Sequence, residues 1–171
     1  MFISASAIGI YGDRGDELLI EDSPPGDGFL ADVCWQWEEE VSRVSDLGIR
    51  AVSLRFGMVL GHDGGAMNMM LPPFRMGLGG RVGNGTQWMS WIHVKDAARL
   101  IFHAMETPSM EAAVNAVAPH PATNKEFSKA LGGVLGRPAF LPAPSLALKG
   151  VLGNLSQLLL FSQKVSAKKS R

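Results

Sequence analysis

The stretch that decides the fold is Phe2-Ile3-Ser4-Ala5-Ser6-Ala7-Ile8-Gly9-Ile10-Tyr11-Gly12. Phe2 to Ser6 are apolar or small and carry no charge, which reads as a buried strand, and the glycines that follow turn it into a loop. In open α/β sheets the carboxyl end of such a strand faces the ligand crevice. Asp13 to Gly28, rich in glycine, proline and acid, continues as a solvated loop. Phe29, Leu30, Val33, Cys34, Trp37, Val41, Val44 and Leu47 then recur at helical spacing. They predict an amphipathic helix with those residues inward, Glu38 to Glu40 largely wet, and Gly48 as its C-cap.

Further along, Arg50 to Phe56 reads as a second strand and Gly61 to Gly65 as a glycine-rich loop. Met67 to Leu71 open a helix that Pro72-Pro73 should disturb or end. Gly77 to Gly85 is loop or hairpin, and His93 to Glu106 a helix with Ala97, Leu100, Ile101, Ala104 and Met105 inward. Ala113 to Val117 reads as a third strand. Thr123-Asn-Lys-Glu126 spells a capping box for a helix running to Leu135 and stopping at Gly136. Pro138 to Pro142 is extended, a helix opens at Pro144-Ser145, and another helical pattern lies near Leu155 to Phe161. Strands alternating with helices predict an α/β fold with a mostly parallel sheet.

The 171 residues suit one domain of ordinary size, and 46% hydrophobic content fits a globular chain. A formal net charge of zero argues against nucleic acid as a partner. The basic tract Lys164 to Arg171 reads as a frayed, solvated tail. The single cysteine, Cys34, forms no internal disulfide and fits a reducing compartment. No signal peptide is read before the first strand, and Leu155 to Phe161 is too short to span a bilayer. The expected setting is the cytoplasm or an organelle matrix, with no membrane partner.

Candidate chemistry gathers at two strand ends, Ser4-Ala5-Ser6 and the stretch from Arg55 to Val59. Both would open onto one crevice, or their small residues serve only close packing. Arg55 is costly to bury alone. It either grips a phosphate or carboxylate with its fork, or pairs with an acid such as Asp96. Trp88 and Trp91 read mainly as core, and His93 as a helix N-terminal hydrogen-bonding residue. No pair of histidines or acids has metal-ligand spacing, so no metal is expected. Cys34 on an apolar helix face reads as a small hydrophobe.

Several longer motifs sit in one order: Ser4 to Gly12, Glu21-Asp-Ser-Pro-Pro-Gly26, Leu54 to Gly61 and Asp63-Gly-Gly-Ala66. Leu71 to Gly80, Gly85 to His93, Ala118 to Phe127 and Leu135 to Pro144 follow. Together they resemble the extended short-chain dehydrogenase/reductase superfamily, and within it the atypical epimerase-family branch. That resemblance implies part of an NAD(P)-binding Rossmann-like, doubly wound domain over residues 1–120, lacking its N-terminal nucleotide-binding half. It also implies a small, mostly helical, substrate-side domain like DUF1731 over residues 121–171. The implied cofactor is NADP(H), lying along Ser4, Ala5, Ser6, Arg55, Gly57, Met58 and Val59, with Ser6, Trp91 and His93 toward an unknown small-molecule substrate.

The superfamily's G-x-x-G-x-x-G phosphate loop would lie upstream of Phe2, and the expectation is that this chain lacks it. Its catalytic serine position falls on Ala7, next to Ser6. Its tyrosine and lysine positions fall on Leu30 and Cys34, so no catalytic residue is assigned. Three functions remain open: an epimerase-like oxidoreductase, a non-catalytic NADP(H)-binding sensor or assembly protein, and an inactive fragment that self-associates through an exposed sheet edge.

Overall fold

A computed structural model describes residues 1–62, 64–142 and 160–170. The chain begins with β1 (Phe2–Ala7), a 3-10 turn (Ile8–Tyr11), β2 (Leu18–Leu19), α1 (Phe29–Asp46) and β3 (Ala51–Phe56). It continues with β4 (Met58–Gly61), β5 (Gly64–Gly65), α2 (Ala66–Arg75), β6 (Trp88–Met89), β7 (Trp91–His93) and α3 (Val94–Glu106). Then come β8 (Ala112–Ala116), β9 (Ala122–Thr123), α4 (Asn124–Leu135) and β10 (Lys164–Val165). The architecture is α/β, as the alternation of strand and helix patterns predicts.

Strands β1, β3 and β8 form a parallel sheet in the order β1-β3-β8. Parallel neighbours need a crossover. The first is α1, and the second is the long excursion from β4 to α3. Because side chains alternate across a strand, the two sheet faces differ in kind. Val52, Leu54, Val114 and Ala116 point to one face and pack with Ala97, Leu100 and Ala104 of α3. Ser6, Arg55 and Asn115 point to the other, toward α1 and Tyr11. A second, smaller sheet has the order β5-β4-β7, and β6 pairs antiparallel with β9.

Arg50 ties the start of β3 to the end of α3. Its guanidinium donates to the carbonyls of Ala104 at 2.9 Å, Thr107 at 3.1 Å, Met110 at 2.7 Å and Met105 at 3.2 Å. The last carbonyls of a helix lack partners within it, and a cation there is also favoured by the helix dipole. At α4 the capping box forms in full: Glu126 N–H donates to the Thr123 hydroxyl, and the Glu126 carboxylate accepts from Thr123 N–H at 2.8 Å. The bonds that its carboxylate accepts, first from the Thr123 N–H and then from the Thr123 hydroxyl, hold the Glu126 carboxyl below its ordinary value. Gly136 closes α4 in the left-handed conformation.

Several expectations need correction. The helix α2 runs through Pro72 and Pro73 to Arg75. The two prolines deprive the carbonyls of Asn68 and Met69 of donors, and both residues are exposed, so water can replace the lost bonds. The basic tail is not frayed. Lys164 and Val165 pair parallel with Leu18 and Leu19, and Val165 and Ala167 are buried. Lys164 lies over the Trp88 ring, and Lys169 Nζ donates to the carbonyls of Glu111 and Ala113. On α1 the buried residues are Ala31, Cys34 and Val41. Phe29, Val33, Trp37 and Leu47 are exposed, because the helix meets the sheet along a narrow strip. Ile101 and Met105 of α3 are likewise exposed. The helix expected at Pro144-Ser145, and all but the end of the pattern near Leu155 to Phe161, lie outside the described residues.

Candidate functional site

The carboxyl ends of β1 and β3 lie side by side, Ser6 opposite Arg55 and Ala7 opposite Phe56. The two strand ends anticipated as one site are therefore brought together. Arg55 is the centre of the arrangement. It is 6% exposed, and its Nε and Nη2 meet the Glu38 carboxylate at 2.9 and 2.8 Å. Its Nη1 donates to the Tyr11 hydroxyl at 2.8 Å and to the Glu21 carbonyl at 2.9 Å. Ser6 Oγ donates to Glu38 Oε1, the oxygen that also accepts from Arg55 Nε, at 2.6 Å. Tyr11 in turn donates to Asn115 Oδ1 at 2.7 Å, and Asn115 N–H donates to Glu21 Oε1 at 3.0 Å.

Arg55 thus pairs with an acid, but with Glu38 rather than Asp96. Asp96 is spent on Arg99, one turn along α3 and in water. Glu38, expected on the wet side of its helix, is instead turned to the sheet. Burial is the largest single influence on Arg55 and opposes its charge. The hydrogen bond to Glu38, then the charges of Tyr11 and Glu38, outweigh it and raise the guanidinium above its ordinary value. With every arm of the fork engaged inside the protein, Arg55 holds the strand ends together and has no arm directed at an anion.

Tyr11 is the chain's one tyrosine, and beside Arg55 it forms a tyrosine–cation couple. It is fully buried, however, and its phenol is raised above the ordinary value, first by that burial. A group so placed binds its proton tightly and touches no outside molecule, so the couple is structural. On α1 no tyrosine or lysine occurs. Leu30 is half-buried at the tyrosine position, and Cys34 is buried at the lysine position with its thiol raised, chiefly by burial.

The remaining anticipated residues divide. Ser4 and Ser6 are half-buried and Ala5 is exposed at the strand end. Gly57 lies against β7's approach: a Cβ there would sit 2.5 Å from the Ser90 carbonyl and 2.9 Å from Val117. Its smallness is used by the protein itself. Met58 and Val59 are half-buried in β4 and pair with Trp91 and Ile92. His93 is exposed and caps α3, its Nδ1 accepting from Lys95 N–H. Trp91 and His93 therefore belong to the second sheet, whereas the side-chain partner of Ser6 is Glu38. Among the described residues no group of three or more His, Cys, Asp or Glu could hold a metal ion, and no helix is long and apolar enough to cross a membrane.

Contrary to the expectation that the chain lacks it, the G-x-x-G-x-x-G spacing occurs twice. Gly9-Ile-Tyr-Gly12-Asp-Arg-Gly15 has that spacing, and so has Gly77-Leu-Gly-Gly80-Arg-Val-Gly83. A phosphate loop must follow a strand, open a helix and leave its N–H groups free. The first stretch follows β1, but it enters a 3-10 turn and a loop leading to β2. Gly12 N–H donates to Gly9 O and Arg14 N–H to Ser162 O. The second follows a helix and leads to β6. Neither is a phosphate cradle.

Comparison with known proteins accords with this geometry. Residues 1–117 match the NAD dependent epimerase/dehydratase family. The chain is 43% identical over 165 residues to the chloroplastic epimerase family protein SDR39U1 homolog of Arabidopsis thaliana, covering 96% of this chain and 47% of that protein. It is 40% identical over 169 residues to the epimerase family protein YfhF of Bacillus subtilis, covering 98% of this chain and 55% of that one. The crystal structure of human epimerase family protein SDR39U1 (isoform 2) with NADPH superposes with a TM-score of 0.91 at 38% identity, over 98% of this chain and 57% of that chain. The chain therefore spans about half the length of these relatives. Its fold is the Rossmann-like one of the NAD(P)-binding epimerases, and the chain belongs to the NAD dependent epimerase/dehydratase family.

Proposed function

We propose that this chain is the strand-end and substrate-side part of an NADP(H)-binding, epimerase-like protein whose substrate is a small molecule still to be identified. The observation that supports the reading is the register of β1 with β3, which sets Ser6 beside Arg55 at the carboxyl edge of a parallel sheet. The human relative crystallised with NADPH superposes on this chain with a TM-score of 0.91. The nicotinamide end would lie over Ser4, Ala5 and Ser6, with Met58 and Val59 beside it. The pyrophosphate would be held by the dinucleotide-binding part that the longer relatives carry. When bound, the cofactor supplies hydride chemistry. The residues of this chain shape the floor beneath it and hold the two strand ends in register through Glu38 and Arg55.

A second reading, non-catalytic NADP(H) binding, draws support from α1. Leu30 and Cys34 stand where the superfamily's acid/base pair is expected, and the one tyrosine is buried. NADPH fluorescence separates the two. Saturable binding without oxidation across a panel of carbonyl substrates supports the second, and saturable turnover removes it. Ala5→Phe, at an exposed strand-end position, is expected to weaken NADPH binding at least tenfold with an unchanged circular dichroism spectrum. Unaltered binding would overturn the placement of the cofactor.

A further inference from the structure

Residues 162–166 lie between two parts of the molecule and bond to both. On one side are the turn and loop that follow β1. Ser162 N–H donates to Asp13 Oδ1 at 3.0 Å, its hydroxyl donates to the Gly15 carbonyl at 2.7 Å, and its own carbonyl accepts from Arg14 N–H at 3.1 Å. On the other side are β6 and β7. Gln163 N–H donates to the Trp88 carbonyl at 3.1 Å, and the Ser90 hydroxyl donates to the Gln163 carbonyl at 2.8 Å. Ser90 Oγ in turn accepts from Val165 N–H at 2.9 Å. Ser90 and Ser162 are 2% and 8% exposed, so these bonds are made away from water, where losing a partner is costly.

In Gln163 the two sides meet in one residue. Its backbone holds Trp88 and Ser90. Its side-chain amide donates to the strand-end turn at two points, the Ile8 carbonyl at 3.0 Å and the Gly12 carbonyl at 2.9 Å. Ile8 is the first residue of the 3-10 turn and Gly12 its cap. One planar, neutral amide with two donors therefore spans the turn from end to end. Ile8 follows directly on Ala7, the last residue of β1. Ser90 passes the restraint on: its carbonyl accepts from Met58 N–H at 2.9 Å at the start of β4, and Trp91 after it opens β7.

We infer, on the strand-end reading above, that Gln163 is a positioning residue of that site. It sets the floor formed by Ser4, Ala5 and Ser6 against the wall of β4 and β7 that carries Met58 and Trp91, so that neither shifts without the other. Loop and wall also meet directly where Trp88 Nε1 donates to Asp16 Oδ1 at 2.7 Å, but that bond is exposed and water competes for both groups. The glutamine link is the sheltered one.

The test reads backbone amide resonances of the full chain without ligand. Gln163→Met keeps the length of the side chain and removes both donors. The Gly9 and Gly12 resonances of the turn and the Met58 and Trp91 resonances of the wall are expected to shift together. Ser90→Ala cuts the far end of the same link and is expected to shift Gly12, although no bond joins the two residues. Either variant suffices if the other fails to fold. Asp16→Ala removes the exposed direct bond and should leave Met58 and Trp91 in place. Shifts confined to the turn in Gln163→Met or to the wall in Ser90→Ala would overturn the inference, as would wall shifts in Asp16→Ala equal to those in Gln163→Met. NADPH affinity is read separately by fluorescence. Where the wild type binds, Gln163→Met should weaken binding about tenfold, and undiminished affinity removes the positioning role. A wild-type chain that binds no NADPH refutes the cofactor reading, and the resonances then decide the link between floor and wall by themselves.

Discussion

The two faces of the three-stranded sheet solve the problem of burial in opposite ways. On the α3 side, Val52, Leu54, Val114 and Ala116 meet Ala97, Leu100 and Ala104, and every contact is apolar. On the α1 side, Ser6, Arg55 and Asn115 meet Glu38 and Tyr11 through a network of hydrogen bonds. The same strands supply both, by alternation. The apolar face is tolerant, since any well-packed set of similar volume serves it. The polar face is not, since each member leaves a buried partner stranded when it is removed. A site that must keep one geometry gains from resting on the second kind of surface.

The comparison can be broken most severely at Arg55. Arg55→Met leaves the Glu38 carboxylate buried without its cation, and about 3–5 kcal/mol of unfolding free energy should be lost in denaturant titration. The double variant Arg55→Met with Glu38→Leu should recover much of that. If the double variant is no better than the single, the polar face is not a coupled unit. Leu54→Ala, on the apolar face, should cost about 2–5 kcal/mol by the same measurement, with no partner substitution able to restore it.

Tyr11→Phe removes one hydroxyl, takes one of two acceptors from Arg55 Nη1 and leaves Asn115 Oδ1 without its donor, for an expected loss of about 1–3 kcal/mol. Tyr11 also sharpens the comparison in alkali. Its phenol is raised by burial, so the unfolded chain loses that proton first. The stability it contributes is complete below about pH 10 and declines as pH rises further. The phenylalanine variant should lack that decline. The smallest effect lies away from the sheet. Thr123→Ala should cost about 1 kcal/mol through the lost cap of α4. The Glu126 carboxyl is held low by Thr123. Its contribution is therefore present above the ordinary carboxyl value and fades as pH falls below about 4. The wild-type advantage over Thr123→Ala should narrow there, and an advantage constant with pH would count against the capping box.

Much of the framework is legible in the sequence, because it is local. The period-two and helical patterns locate β1, β3, β8, α1, α3 and α4 to within a residue or two, and Thr123, Glu126 and Gly136 mark the bounds of α4. What escaped is what depends on distant partners. Glu38 sits in an acidic run that reads as solvated, and only the fold brings Arg55 to it. Lys164 to Lys169 read as basic and frayed, although the alternation of Val165 and Ala167 was a readable sign of a buried edge. Gly9, Gly12 and Gly15 have the letters of a phosphate loop without its setting. At the site, the pairing of the two strand ends was legible and the engagement of Arg55 was not. The exposed half of the α1 stripe is a different matter. Its helical spacing is genuine, yet Phe29, Val33 and Trp37 stay exposed.

Arg50 carries a consequence for how the molecule opens. Its guanidinium is shared among four carbonyls spread over the last turn of α3 and the loop that leads to β8. The first residue after it begins β3, the central strand. Fraying of that helix end and slippage of that strand are thereby made a single event. Amides of late α3 and early β3 should then exchange with solvent at one common rate, as members of one cooperative unit, and Arg50→Ala should split them into a fast group and a slow one.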